Sequence, residues 1–267
     1  MNFINKSVLL ILSIFSLSVM SCTKDDVGII GNGNIKFEFE NVANGNRLVF
    51  GDKYLNANGD EMSFTQFDYY VSNFSLIKSD GSEYIIPKDS CYFLIHSGLG
   101  ENPEFEIKNI PAGDYKEFRF IIGIDSAKNV APISERTGVL DPAAEGAGMY
   151  WSWNSGYIFV KTEGTSPQAP LDSVSSTNKF RYHIGLFGGL NSATINNIKQ
   201  VKLNNGDIAK VRTNLSPLVH LKADVMQLFK SPTVVSVAEH PTVMVTPYSA
   251  VIADNYKEMF QIAHIHN

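Results

Sequence analysis

The chain has 267 residues, of which 18% are charged and 44% hydrophobic, and its formal net charge is −5 at pH 7. This composition is typical of a folded globular body and argues against a disordered surface coat. The 27 acidic residues outnumber the 22 basic ones, and the sequence has no basic cluster interleaved with aromatic residues, which argues against nucleic acid as a partner.

Residues 1–21 are predicted to be a lipoprotein signal peptide. Lys6 precedes an apolar run from Val8 to Met20, which is too short to span a bilayer but suits the core of a signal peptide. The end of this run, with Cys22, resembles a bacterial lipobox, and the Lys-plus-acidic residues 23–26 resemble an export signal to the outer face of the outer membrane. We therefore expect a lipid anchor on Cys22 and an outer-membrane, cell-surface location. An ordinary secretory signal is the alternative.

The rest of the chain is predicted to be a tether, residues 22–34, followed by one domain, residues 35–267. Residues 35–40 alternate apolar and charged side chains, and Asn-Gly pairs at 44–45 and 58–59 indicate tight turns between strands. Further β-branched and aromatic segments recur at spacings typical of a sandwich. The fold class that we predict is all-β, an antiparallel β-sandwich of Greek-key type.

One or two short helices are expected near the end of the domain. Asp224 is placed to cap a helical turn over residues 224–229, and residues 249–260 form the second helical candidate. Cys91 is the only cysteine besides Cys22, so a lipidated chain has no intramolecular disulfide and its fold must depend on its own core.

The segment His264-Ile265-His266, near the end of the sequence, is the strongest candidate for a metal-binding site. In a β-strand, alternation places both imidazoles on one face with Cα atoms about 7 Å apart, close enough to share a metal ion. His183 shares the less apolar face of its strand with Arg181, which fits either a third ligand or a hydrogen-bonded structural histidine. Neutral imidazoles without a thiolate suit copper, and zinc stays open.

The other histidines and two aspartates are expected to have ordinary roles. His96 is predicted to lie in a turn, His240 in a loop, and His220 on a solvent-directed face. Asp125 and Asp141 follow glycines closely enough to be calcium ligands, but we favour turn-starting roles for them.

Trp151 and Trp153 are the only tryptophans. At a spacing of two they would face the same way in a strand, where they could simply fill a core. Together with Tyr150 and Tyr157, Trp151 could instead form a stacking platform for glycans. That arrangement would make the protein an adhesion or glycan-binding lipoprotein, which is our alternative function.

An ordered series of motifs carries a family resemblance. It consists of Gly123-Ile-Asp-Ser-Ala-Lys-Asn, Gly138-Val-Leu-Asp-Pro, the block from Gly148 through Trp151-Ser-Trp153-Asn-Ser-Gly-Tyr, Phe180-Arg-Tyr-His-Ile-Gly, and the closing segment from Asn255 to His266. Together these motifs resemble the MbnP-like family of copper-binding proteins, from about residue 35 to the end. The tryptophan block is the most specific part.

The resemblance implies a periplasmic or surface β-sandwich that binds copper, for capture or storage. Catalysis is not expected, because the sequence has no Gly-x-Ser-x-Gly, His-Glu-x-x-His or phosphate-binding motif. It also implies copper ligation by histidine side chains, for which His183, His264 and His266 are our candidates, and oxidation of a tryptophan, which here must be Trp151 or Trp153, to kynurenine by a partner di-haem enzyme of the MbnH type. Functionally similar copper proteins place the modified tryptophan two residues from a ligating histidine. This chain has no His-x-Trp or Trp-x-His sequence, which puts the kynurenine in doubt more than the metal.

Overall fold

A computed structural model describes residues 29–97, 100, 102–153, 156–173 and 175–267. The predicted signal peptide, Cys22 and the first part of the tether lie outside the described residues. Within the described ranges, no helix has the length and apolar character that a membrane crossing requires.

The described part of the chain is built mainly from strands. In chain order they are β1 (Asn32–Ala43), β2 (Asn46–Arg47), β3 (Tyr54–Leu55), β4 (Glu61–Lys78), β5 (Glu83–Ile85), β6 (Tyr92–His96), β7 (Glu104–Pro111), β8 (Gly113–Ile122), β9 (Tyr150–Trp151), β10 (Gly156–Thr165), β11 (Lys179–Gly185), β12 (Lys199–Leu203), β13 (Ala209–Val211), β14 (Leu218–Asp224), β15 (Thr242–Val243) and β16 (Phe260–His266). Two α-helices, α1 (Ser126–Asn129) and α2 (Ser249–Tyr256), and short 3-10 turns at Lys88–Ser90, Ile133–Glu135, Gly138–Leu140 and Val225–Phe229 complete the set.

The strands form two sheets, and the predicted all-β sandwich is confirmed. The small sheet has the order β16-β14-β1-β2, with β7 also pairing with β1, and the large sheet has the backbone order β12-β8-β4-β10-β11-β15. Most pairs are antiparallel, as predicted, but β1 pairs with β14 and β11 with β15 in parallel. Parallel neighbours need a long crossover, and the chain supplies one because each of these pairs joins segments far apart in the sequence.

The two sheets pack face to face over an aromatic core. Phe37 and Phe39 of the small sheet contact Phe74 and Phe120 of the large one, with ring centroids 5.2 Å and 6.4 Å apart respectively. Burying one such side chain contributes about 1.5–3 kcal/mol. Because both inner faces share this core, residues that point away from it lie on opposite sides of the sandwich according to their sheet.

A second, smaller core surrounds the central segment. It contains Tyr70, Ile124, Leu140, Met149, Trp151, Tyr157, Ile158 and Phe159. At Gly185 a Cβ atom would lie 2.4 Å from the Tyr157 carbonyl oxygen and 2.7 Å from Trp151 Cζ3. The glycine therefore lets β11 approach the tryptophan closely.

Both helical predictions hold, with shorter elements. The Asp224 carboxylate accepts a hydrogen bond from Met226 N at 3.0 Å, which confirms the predicted cap, although the turn that follows is a 3-10 helix over Val225–Phe229. Helix α2 ends at Tyr256, before the predicted residue 260, because the chain must extend to enter β16. At the other end, β1 begins at Asn32, three residues before the predicted domain start.

Candidate metal centre

A β-bulge determines which way the last strand points its histidines. Phe260 pairs with Ala223 and Ile262 with Leu221, but His264 pairs with His220, the next residue along β14, so Ala263 is the extra residue. The bulge shifts the alternation by one place. His264 and His266 are consequently exposed, while Ile262 and Ile265 pack against the core. The predicted strand and the shared face of the two histidines are confirmed.

His220 brings a third imidazole to this face. It alternates with buried Val219 and Leu221 along β14, so it points outward from the small sheet. Its Nδ1 lies 3.2 Å from His264 Nε2, and the two rings are 4.6 Å apart at 90°. The His264 and His266 rings are 4.5 Å apart. We call His220, His264 and His266 the histidine patch.

His220 points outward as predicted, but it is also the best-buried member of the histidine patch. Its side chain is only 15% exposed, because the neighbouring strands β1 and β16 both flank it. The sequence did contain one signal for its role. The outward face of β14 and the face of the terminal histidines would coincide if the two strands were neighbours, but pairing over more than 40 positions could not be predicted.

Two carboxylates of β1 lie near the Nε2 atom of His220. Its Nε2 lies 3.5 Å from Glu40 Oε2 and 3.9 Å from Glu38 Oε1, and this nitrogen is buried with no hydrogen-bond partner among the described residues. Glu38 pairs directly with His220 across the β1–β14 ladder. Carboxylates on this side favour a proton on Nε2, which leaves the lone pair of Nδ1 directed at His264.

The electrostatics of the histidine patch favour a neutral His264. Burial, followed by the neighbouring His220 and His266, lowers the pKa of His264 below its usual value of 6.5. A neutral imidazole is the form that binds a metal ion. As the side chains stand, however, no three histidine, cysteine, aspartate or glutamate residues in the described part of the chain form a group ready to hold a metal ion. The histidine patch is therefore a close pair with a third imidazole beside it.

The structure does not bring His183 to this patch. His183 alternates with buried Phe180, Tyr182 and Ile184 along β11, so it projects from the outer face of the large sheet, on the opposite side of the sandwich. Its Nε2 contacts Glu163 Oε1 at 2.7 Å, and this hydrogen bond lowers the pKa of Glu163. Of the two roles left open by the sequence, the observed contact is that of a hydrogen-bonded structural histidine.

The tryptophans lie with the large sheet, away from the histidine patch. Trp151 is only 5% exposed, in the smaller core, whereas Trp153 is 67% exposed, and their ring centroids are 5.7 Å apart. Tyr157 is fully buried and Tyr150 is half-buried. The stacking platform of Tyr150, Trp151 and Tyr157 is thus not available on the surface, because these rings form a core.

The remaining candidates have partners within the fold. His96 Nδ1 contacts Asp68 Oδ1 at 3.0 Å, and the His240 ring stacks on Tyr248. Asp125 caps α1 through Lys128 N and accepts a bond from the Tyr92 hydroxyl. Asp141 accepts from Ala143 N at 2.8 Å, which is the turn role that we favoured.

Comparisons with known proteins place the chain in a family. A family model described as MbnP matches residues 32–245. Among solved structures, MbnP from Methylosinus trichosporium is similar, with 19% sequence identity over 76% of this chain and 79% of that chain, and a TM-score of 0.50. At this identity the likeness shows a shared fold. A search of proteins with curated functions found no match. Because the family model covers well over half of its residues, the chain belongs to the MbnP family.

Proposed function

We propose that this protein is a lipid-anchored copper-binding protein of the outer membrane, and that the histidine patch is its metal site. It acts by binding and does not catalyse a reaction. The observation that carries the proposal is the 3.2 Å separation of His220 Nδ1 and His264 Nε2. Two imidazole nitrogens that share one metal ion at about 2.0–2.1 Å in a tetrahedral site lie about 3.3 Å apart.

The third member of the patch extends this pair. The His266 ring lies 4.5 Å from that of His264, and both residues are exposed at the end of β16, so a rotation about the side-chain bonds of His266 brings a third nitrogen toward the pair. Exposed side chains change rotamer freely. The metal ion would thus order a site that is partly assembled beforehand.

Copper suits this donor set. The patch offers imidazole nitrogens without a thiolate. Among the first-row divalent metals, copper binds such sites most strongly. Cys91 does not add a sulfur ligand because it is fully buried in the core, and burial raises the pKa of its thiol. Membership of the MbnP family supports a copper association, and zinc is the competing metal.

The histidine patch is not simply a family feature carried over to this chain. The family match ends at residue 245, so His264 and His266 lie beyond it, whereas His220 lies within it. Support for this site therefore comes from the geometry of β14 and β16. Glu38 and Glu40 add to it, since carboxylates beside a ligating histidine orient its ring.

Tryptophan oxidation belongs to the proposal as a separate event. Trp153 is the exposed indole, so it is the one that a partner di-haem enzyme of the MbnH type could reach. Both tryptophans lie with the large sheet and the histidine patch lies on the outer face of the small one. In this proposal a kynurenine therefore does not ligate the copper of the histidine patch.

The test is metal content and lipidation of the protein purified from its native host. We expect one copper ion per chain by elemental analysis and a lipid-modified N-terminal peptide that begins at Cys22. A variant with His220, His264 and His266 all replaced by glutamine should lose the copper, whereas His183→Gln should keep it. Copper retained in the triple variant would refute the site, and protein that takes up zinc but no copper would refute the function.

A further inference from the structure

A cleft of about 650 Å³ opens near the smaller core, far along the chain from the histidine patch. Its lining comes mainly from residues 129–133 and from residues between 186 and 194, and Arg136 and Tyr150 also line it. This volume lies within the range of about 300–1,000 Å³ that is typical of small-molecule sites.

Arg136 is a buried cation that has no anionic partner among the residues that the structure describes. The residue is only 7% exposed. Its Nε and Nη2 donate to the carbonyl oxygen of Ala131 at 3.1 Å and 3.0 Å, and Nη2 also donates to that of Asn129 at 3.2 Å. Nη1 is buried and has no hydrogen-bond partner within the described ranges. Among the described residues, no carboxylate forms an ion pair with Arg136. Other arginines of the fold do form short ion pairs with carboxylates.

Aromatic rings stabilise the buried charge of Arg136 only in part. The guanidinium carbon lies 4.6 Å from the centroid of the Tyr150 ring and 5.5 Å from that of Tyr157, distances at which a cation is attracted to a ring face. Burial raises the pKa of Tyr157 to about 12, so its phenol is neutral at pH 7 and supplies no negative charge. A buried charge usually has a counter-ion, and this one lacks it within the described chain.

The mouth of the cleft is apolar and exposed. Ile133 is 78% exposed and Leu190 is 69% exposed, and both line the cleft. Val130 is a third exposed apolar side chain in its lining. Apolar side chains that converge around a cleft indicate a surface that is covered when a ligand binds.

We propose that this cleft binds a small organic carboxylate whose apolar portion rests between Ile133 and Leu190. The carboxylate lies next to Arg136 and supplies the counter-ion that none of the described residues provides. Because Arg136 lines the cleft and is only 7% exposed, the attraction of its guanidinium to an anion in the cleft is weakly screened. The proposal is independent of copper, since the cleft and the histidine patch share no residue.

Phenylacetate and its neutral amide, phenylacetamide, separate the two parts of the proposal. They have the same ring and differ by one charge, so isothermal titration calorimetry on the purified protein measures the contribution of the anion directly. We expect phenylacetate to bind at least about 10-fold more tightly than the amide, and more tightly than acetate, which has no apolar portion. Equal binding of acid and amide would refute the role of Arg136, and equal binding of acetate would refute the apolar contact.

Three variants, one of them a control, test where the site lies. Leu190→Asp places a negative charge at the mouth and should weaken phenylacetate binding at least about 10-fold by like-charge repulsion. Ile85→Asp is the matched control, because Ile85 is an equally exposed apolar residue on β5 outside the cleft, and should change nothing. Arg136→Met should abolish the preference for the acid over the amide. If that variant fails to fold, the pair Leu190→Asp and Ile85→Asp decides alone, and equal effects of the two would overturn the proposal.

Discussion

His264 is the central imidazole of the histidine patch, so its replacement by glutamine should weaken copper binding more than any other single change. Its ring is the one that contacts both of the others, at centroid distances of 4.6 Å to His220 and 4.5 Å to His266. Changes behind a metal ligand already cost about 10- to 100-fold in affinity. Loss of the shared ligand should therefore cost at least about 100-fold, or about 2.7 kcal/mol.

The assay is competition for Cu(II) against a chromogenic chelator, with thermal unfolding as a check on the fold. His264 is exposed, so the free energy of unfolding should change by no more than about 0.5 kcal/mol. His183→Gln is the matched control, because His183 projects from the opposite side of the sandwich and should leave affinity unchanged. Native-like copper affinity in His264→Gln, or an equal loss in His183→Gln, would refute our reasoning about which face holds the metal.

Three further outcomes follow from contacts elsewhere in the fold. Asp224→Ala should lower the free energy of unfolding by about 1–3 kcal/mol in denaturant titrations, because the Asp224 carboxylate accepts three backbone N–H bonds. Asp224→Asn keeps an acceptor, so its free energy of unfolding should fall less. Equal losses in the two variants would contradict this reasoning. The hydrogen bond to Asp68 raises the pKa of His96, so His96→Gln should reduce stability most below the unfolded-state pKa of about 6.5. The difference in stability between the variant and the native protein should disappear as the pH rises through the raised pKa of His96. A difference that grows with pH would refute the role of the His96–Asp68 bond. If the native protein carries an oxidised tryptophan, peptide mass spectrometry should find it at exposed Trp153 and not at buried Trp151.

Local patterns were sufficient for the strands and caps but not for the layers. The alternation in residues 35–40 predicted β1 correctly, and Asp224 could be identified as a cap from its own neighbours. His183 was a reasonable ligand on the same grounds, since its outward face was correct. Which side of a two-layer fold that face belongs to depends on sheet pairing, and the sequence pattern of one strand does not contain this information.

The Arg136 cleft illustrates the same limit for binding sites. Arg136 sits in an unremarkable polar segment of the sequence, and its burial depends on Tyr150 and Tyr157 packing around it. Another part of the lining of the cleft comes from residues between 186 and 194, about 50 positions later. A motif search has no access to such a combination, because neither segment has a recognisable spacing of its own.

The bulge at Ala263 is the reason that the terminal histidines lie on the surface. With Phe260 facing the core, uninterrupted alternation would have turned Ile262, His264 and His266 inward as well. Two imidazoles without partners beside an aromatic core would each cost about 1–3 kcal/mol, whereas a bulge forgoes roughly one ladder hydrogen bond, worth about 0.5–1.5 kcal/mol. The bulge is therefore the cheaper arrangement, and the spacing of three between Ile262 and Ile265 is its mark in the sequence. The same shift fixes His264 opposite His220, so the energetics that keep the histidines out of the core also assemble the pair of nitrogens on which the proposed copper site depends.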